Sequence, residues 1–261
     1  MTGFPVTGAV LDPLAARYAE WLGLPAAATN DVTDEDPTLV RAMPVILRIE
    51  RAEPPSRTAL LEAAAAAAVA VCLDPRSEQD GEWHDALVSW VDGRIRKVAR
   101  RARGAHWAAV EELPGVTITV AGASARALVP GRVVDAPKEV TRLQISGSEL
   151  PEDEPGPPPD GVPVLWLNPK VTMTAGKAAA QVGHASMLLA AALRADGQTE
   201  FFAEWKDFRC AVRTPDLRTW AALHPGDDPA GAWRRRRVVA VRDAGFTEVD
   251  PGTVTVLAQL P

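Results

Sequence analysis

The sequence predicts an α/β protein made of two tandem related units, each a small mixed β-sheet of about four strands packed by helices. Three observations lead there. First, the openings of two blocks share a pattern. MPVILRIERAEPPSRTALLEAAAAAAVAVCL from Met43 and VPVLWLNPKVTMTAGKAAAQVGHASMLLAAAL from Val162 each read as an apolar strand, a turn segment and a long Ala-rich helix. Second, each block carries a later strand-like run followed by an Ala-Gly and a Pro-Gly pair. Block one has Val116–Val120, Ala121-Gly122 and Pro130-Gly131; block two has Val238–Arg242, Ala244-Gly245 and Pro251-Gly252. Third, a segment unable to fold divides them. Glu149 to Asp160 holds five prolines and five acids, so it cannot bury apolar area and is expected to be extended.

These boundaries give an acidic, partly disordered leader over residues 1–40 and an α/β unit over 41–148. An acidic Pro-rich linker follows over 149–161, and a second α/β unit spans 162–261. The leader contains one amphipathic helix near Asp12 to Leu22, followed by a polar, mobile stretch from Ala28 to Thr38. Last strands are expected around Leu143–Ile145 and Thr253–Ala258.

Charge needs to be read by segment. The chain carries −6 overall, which alone argues against a nucleic-acid partner. Leader and linker account for −5 each, whereas residues 41–148 and 161–261 are each +2. The folded blocks are therefore slightly basic. No apolar run reaches the roughly 18 residues of a membrane span. The opening MTGFPVTGAV lacks the basic and apolar regions of a secretory signal. Two cysteines, Cys72 and Cys210, provide neither a disulfide framework nor a zinc site, so a reducing cytoplasm is expected.

The chemistry lies in block two. After a strand, Thr174-Ala-Gly176-Lys177-Ala-Ala-Ala-Gln181-Val-Gly-His184 opens a helix, and the i, i+4, i+7 spacing puts Lys177, Gln181 and His184 on one face. A Gln or His alone on an apolar helix is more often a hydrogen-bonded core residue. Lys177 is different, because the macrodipole penalises a cation in the first turn by a few tenths to ~1 kcal/mol. A Walker loop is rejected, since Val171 stands where its first glycine belongs and Ala178 follows the Gly-Lys. The second signal is Arg242-Asp243-Ala244-Gly245-Phe246-Thr247, continuing to Pro251-Gly252-Thr253. Alone, Asp243-Ala-Gly reads as turn chemistry.

Together, GK-AAAQ-GHA on the helix and DAG-T-PGT-TVL near the C-terminus resemble the type 2 peptidyl-tRNA hydrolase family over residues 162–261. The resemblance implies a compact α/β domain with a mixed four-stranded sheet and a cleft where the first helix meets the DAG turn. It implies cleavage of peptidyl-tRNA with tRNA as partner and with neither metal nor organic cofactor. It also implies Lys177, Gln181, His184, Asp243 and Thr247 as site residues. The sequence departs from the family where Asn168 and Lys170 follow the first strand, where Ala175 precedes the Gly-Lys, and where Phe246 replaces an Arg. Block one lacks the set: by offset, Thr58, Glu62 and Ala65 fall near Lys177, Gln181 and His184, and no Asp precedes Ala121.

In the expected mechanism Lys177, with free N–H groups at the helix start, meets the oxyanion or a phosphate, and Asp243 orients or deprotonates water with Thr247 holding the geometry. His184, ~10 Å along the axis from Lys177, is given a supporting part. Two basic clusters are the candidates for phosphate contact: Arg94, Lys97 and Arg101 on one helical face, and Arg234, Arg235, Arg236 and Arg237. The alternatives are a non-catalytic tRNA- or RNA-binding protein on the same fold, or a hydrolase of another ester, for which no GxSxG is present. Assembly is left between a homodimer and an intramolecular pseudo-dimer. The acidic leader and linker are read as RNA mimics shielding the basic surface.

Overall fold

In the computed structural model, which describes residues 7–261, two mixed sheets enclose a pair of Ala-rich helices. The first six residues, part of the opening read against a secretory signal, lie outside the described residues.

The leader carries two short helices, α1 (Asp12–Ala16) and α2 (Tyr18–Gly23), in place of the single helix expected there; the chain breaks at Arg17. Block one runs β1 (Arg41–Arg48), α3 (Arg57–Cys72), α4 (His84–Val91), β2 (Arg96–Ala102), α5 (Gly104–Glu111), β3 (Gly115–Val120), β4 (Ala123–Leu128), β5 (Gly131–Arg132) and α6 (Lys138–Thr141). Block two runs β6 (Val164–Leu167), α7 (Ala175–Ala195), α8 (Phe201–Glu204), β7 (Ala211–Arg213), α9 (Leu217–Leu223), α10 (Pro229–Arg236), β8 (Val238–Arg242) and β9 (Val254–Gln259).

The two main sheets have one topology. Block one is ordered β2-β1-β4-β3, with β5 pairing β1; block two is ordered β7-β6-β9-β8. In each, the first strand pairs parallel with the second and antiparallel with the last, and the last two strands are antiparallel to each other. Helix α3 packs on the first sheet and α7 on the second, and the two helices pack against each other in one continuous core. Alanine permits this. Small side chains let two backbones approach, so that the Ser186 hydroxyl donates to the carbonyl of Ala65 at 2.7 Å. Gly183 lies against Ala68, where a Cβ would stand 3.1 Å from the alanine methyl. Each helix also touches the other block's edge strand. Glu62 on α3 accepts from the Val212 N–H (3.1 Å) and the Arg213 guanidinium (2.8 Å) on β7. Glu62 is thereby a clip between blocks and forms no site of its own.

Three sequence expectations are corrected here. Arg96 to Ala102 form a strand and not a helix, paired residue by residue with β1, so Arg94, Lys97 and Arg101 share no helical face. Arg and Ala favour helices intrinsically, but pairing with β1 overrides that weak preference. Residues Leu143–Ile145 form no strand beyond a single bridge from Gln144 to Arg101; the last strand of block one is the short β5, at Gly131–Arg132. Finally, the paired turns are not equivalent. Ala121-Gly122 is the tight turn of a hairpin, whereas Ala244-Gly245 begins a long loop between β8 and β9, and Pro130-Gly131 follows β4 while Pro251-Gly252 precedes β9. The loop that carries Asp243 and Thr247 therefore has no counterpart in block one.

The leader and linker are both fastened. Thr29 is fully buried, with its hydroxyl donating to Ala26 O (2.8 Å) and Ala244 O (3.3 Å), although Ala28–Thr38 read as mobile. In the linker, Asp153 accepts from the Thr58 hydroxyl (2.6 Å) and backbone (3.2 Å) and from Ser56 at the start of α3. The Arg213 guanidinium donates to Gly156 O at 2.7 Å. Among the described residues no helix is long and apolar enough to cross a membrane, and Cys72 and Cys210 are buried free thiols.

Candidate active site

The site forms where the first turn of α7 meets the β8–β9 loop. Thr174 is the N-cap: its hydroxyl accepts the Lys177 N–H at 3.1 Å and donates to Glu248 Oε1 at 2.7 Å, and its own N–H donates to Glu248 Oε2 at 2.9 Å. Ser148, at the end of block one, accepts the Gly176 N–H at 3.1 Å. The Ala178 N–H donates to Thr174 O at 2.9 Å. Helix starts leave several orphan N–H groups, but here the cap and Ser148 take most of them. The expectation of free donors at the helix start is thus corrected, and the charge available to an incoming anion is that of Lys177.

The Lys177 ammonium donates to Asp243 Oδ2 at 2.7 Å and to Thr247 Oγ1 at 2.9 Å. Its third N–H has no partner among the described residues. Gln181 Nε2 donates to the same Asp243 oxygen at 2.7 Å, while the Thr255 hydroxyl donates to Gln181 Oε1 and so fixes which way the amide faces. Asp243 Oδ1 accepts from the Gly245 N–H at 2.7 Å. The Lys177 and Asp243 side chains are only 10% and 7% exposed. A buried pair of this kind survives only when its remaining hydrogen bonds are met, and Gln181, Thr247 and Gly245 meet them.

The loop geometry is specified by its sequence. Asp243 ties the loop ends together, its N–H donating to Thr253 O (2.8 Å) and its carbonyl accepting from Gly252 (2.9 Å). Gly245 takes φ 84° and lies against Pro251, where a Cβ would come within 2.5 Å of ring and backbone atoms, so only glycine fits.

Of the five residues implied by the resemblance, the structure brings together Lys177, Gln181, Asp243 and Thr247, and leaves His184 outside. His184 Nδ1 lies 3.1 Å from Lys97 Nζ of β2, at the contact between blocks, and the Lys97 ammonium stands 5.0 Å from the Trp90 ring. Burial pulls Lys97 down from 10.5 to about 7. Burial, reinforced by the charges of Lys97 and Lys177, holds His184 well below 6.5. Both groups hold fewer protons folded than unfolded, so stability rises with pH, for His184 in the window below 6.5 and for Lys97 between about 7 and 10.5. The melting temperature is therefore expected to climb by a few degrees from about pH 6 to about pH 9, and Lys97→Met to flatten the part above pH 7. Thermal unfolding followed by circular dichroism checks this; an unchanged slope in the variant would refute the assignment to Lys97.

The basic candidates scatter. Arg94 faces the leader, bonded to Asp31 O and Asp34 (3.3 Å). Arg101 bonds to Gln144. Arg234 is exposed, Arg235 pairs with Asp228 (3.1 Å), Arg236 donates to His224 O (3.2 Å), and Arg237 pairs with Asp196 (2.5 Å). A groove of about 540 Å³ adjoins the start of α7, lined by Arg100, Ser146, Ser148, Thr174 and Glu248 among others, so block one forms one wall of the approach. Sequence reasoning missed Thr255, Glu248 and Ser148. Only Thr255 left a signal, as the polar residue inside the apolar run Val254–Ala258, and it is fully buried. Among the described residues no cluster of three or more His, Cys, Asp or Glu could hold a metal ion.

No curated protein and no solved structure gives a significant match to the chain. The C-terminal block does have a match: residues 162–261, carrying both the α7 motif and the Asp243 loop, fit the family model described as Peptidyl-tRNA hydrolase PTH2.

Proposed function

We propose that the protein hydrolyses the ester of peptidyl-tRNA, releasing tRNA and peptide, with its chemistry in block two. The observation that carries this reading is the cluster of Lys177, Asp243, Gln181 and Thr247 in the very segment that matches the family.

In the reaction, water attacks the ester carbonyl, a new C–O bond forms, the bond to the ribose oxygen breaks, and that oxygen takes up a proton. Negative charge develops on the carbonyl oxygen. The unpartnered N–H of Lys177 is the donor placed to receive it, and a preorganised donor of this kind contributes roughly 10²–10³ in rate. Asp243 keeps Lys177 oriented, and its Oδ1, with one bond from Gly245, retains capacity to accept from a water. Gln181 and Thr255 fix the carboxylate. His184, bonded to Lys97, is a packing residue of the block contact in this reading.

The test is release of free tRNA from purified peptidyl-tRNA by the full-length protein. Turnover supports the proposal. Binding of tRNA with no release would favour the non-catalytic alternative, whose best support is Phe246 at a position where the family usually has an Arg.

A further inference from the structure

The leader ends in an ion cluster beside the site. Arg94 and Arg96, flanking the start of β2, converge on one carboxylate, that of Glu35. Arg96 meets it with both terminal nitrogens, Nη1 at 2.5 Å from Oε1 and Nη2 on Oε2, and Arg94 Nε lies 3.6 Å from Oε1. Asp34 adds a second contact to Arg94 at 3.3 Å. The Arg96 guanidinium holds the Glu35 carboxyl below its usual range, so Glu35 is ionised at neutral pH. On its other side, Arg96 stands 5.3 Å from the ring of Phe246, which is 47% exposed and precedes the Thr247 that accepts from Lys177. Arg96 and the phenyl ring thus lie one residue from the Thr247 contact of Lys177, with Arg94 joined to them through Glu35.

The leader is held on either side of this cluster by contacts that do not involve Glu35. Upstream, the Arg242 guanidinium donates to the carbonyls of Trp21, Leu22 and Leu24, and Thr29 is buried against Ala244. Downstream, β1 starts at Arg41. Between them residues 30–39 are exposed except for Glu35 itself. Glu35 can therefore leave Arg96 without disturbing either anchor. A guanidinium fork takes carboxylate and phosphate in the same bidentate manner, and an exposed aromatic ring offers a stacking face to any base.

We propose that Arg94, Arg96 and Phe246 form a binding site for a phosphodiester and its adjoining base in tRNA, and that Glu35 occupies this site in the free protein as a displaceable stand-in for the phosphate. The identity of the nucleic acid rests on the function proposed above. Block one, which has no catalytic loop, thereby supplies a basic residue beside the ring of Phe246.

The experiment measures binding of fluorescently labelled deacylated tRNA to the full-length protein. The variants are Glu35→Gln, Arg96→Ala, the double variant, and Glu20→Gln as an exposed leader acid of equal charge. Glu35→Gln is expected to bind about three- to tenfold tighter at low salt. It should also steepen the fall of log affinity with log salt by about one, because a freed arginine now releases a counterion from the RNA. Arg96→Ala should bind more weakly, the double variant should match Arg96→Ala, and Glu20→Gln should match the unaltered protein. Affinity of Glu35→Gln that does not exceed that of the unaltered protein would overturn the proposal. So would a gain that persists without Arg96, or an equal gain from Glu20→Gln, since either would make the effect one of overall charge. Deacylated tRNA has no ester to cleave, so these outcomes are independent of turnover. Failure of the hydrolase reading would show separately, as intact peptidyl-tRNA.

Discussion

Lys177→Ala and Asp243→Asn are each expected to reduce release of tRNA from peptidyl-tRNA by about two to four orders of magnitude. Alanine removes the ammonium that pairs with Asp243 where α7 meets the β8–β9 loop and leaves Asp243 buried without its cation. Asparagine keeps the shape of Asp243 but presents an amide to a position that now accepts from both Lys177 and Gln181. Both changes strand a charge in a site less than a tenth or so exposed, which carries a stability cost of about 3–5 kcal/mol in comparable pairs. Melting temperatures must accordingly be measured alongside activity. Thr255→Val separates the two effects: it frees the Gln181 amide to turn while leaving the ion pair in place, so it should lower turnover less and melting little. Full activity in a folded Lys177→Ala protein would remove Lys177 from the reaction.

A second large stability effect is expected at the crossing of α3 and α7. A leucine at Gly183 would drive its side chain into the Ala68 methyl and the Lys97 stem, which a single Cβ already meets at 3.1 and 3.3 Å. Interiors pack at crystal-like density, and inserting several methylenes there costs about 1–3 kcal/mol or more. For a chain of this size that corresponds to a fall in melting temperature of roughly 2–12 °C. Gly183→Ala should cost far less, because one methyl needs only a small shift of its neighbours. Equal melting of Gly183→Leu and the unaltered protein would show that the helices can separate at this point without loss.

Much of this arrangement was legible in the chain because it is local. The 3.6-residue period of α7, its start near Thr174, and the turn chemistry of Asp243-Ala-Gly245 each lie within a few residues, and the resemblance joined them. What the sequence did not disclose depends on partners distant in the chain. The run Arg94–Arg103 has helix-favouring residues and weak alternation, and it becomes an edge strand only because β1 offers seven residues of parallel pairing. His184 shares a helical face with Lys177 and Gln181, yet a lysine from the other block captures it. Glu35 and Arg96 are separated by 61 residues, and nothing in the leader's composition distinguishes that acid from its neighbours. By offset, block one lacks the matching side chains, and the structure shows a backbone difference beside that, since β3 and β4 are joined by a tight turn where block two has its long loop.

The close seam between α3 and α7 joins halves of a single polypeptide, and this changes what dilution and substitution can do. A seam between separate subunits loosens as protein concentration falls, whereas one within a chain forms at a fixed effective concentration set by the tether. The groove wall built from Ser146 and Ser148 should therefore persist at any working concentration of the protein. A change on α3 also has no mirror image on α7, so one half is at liberty to alter its surface while the other keeps its chemistry.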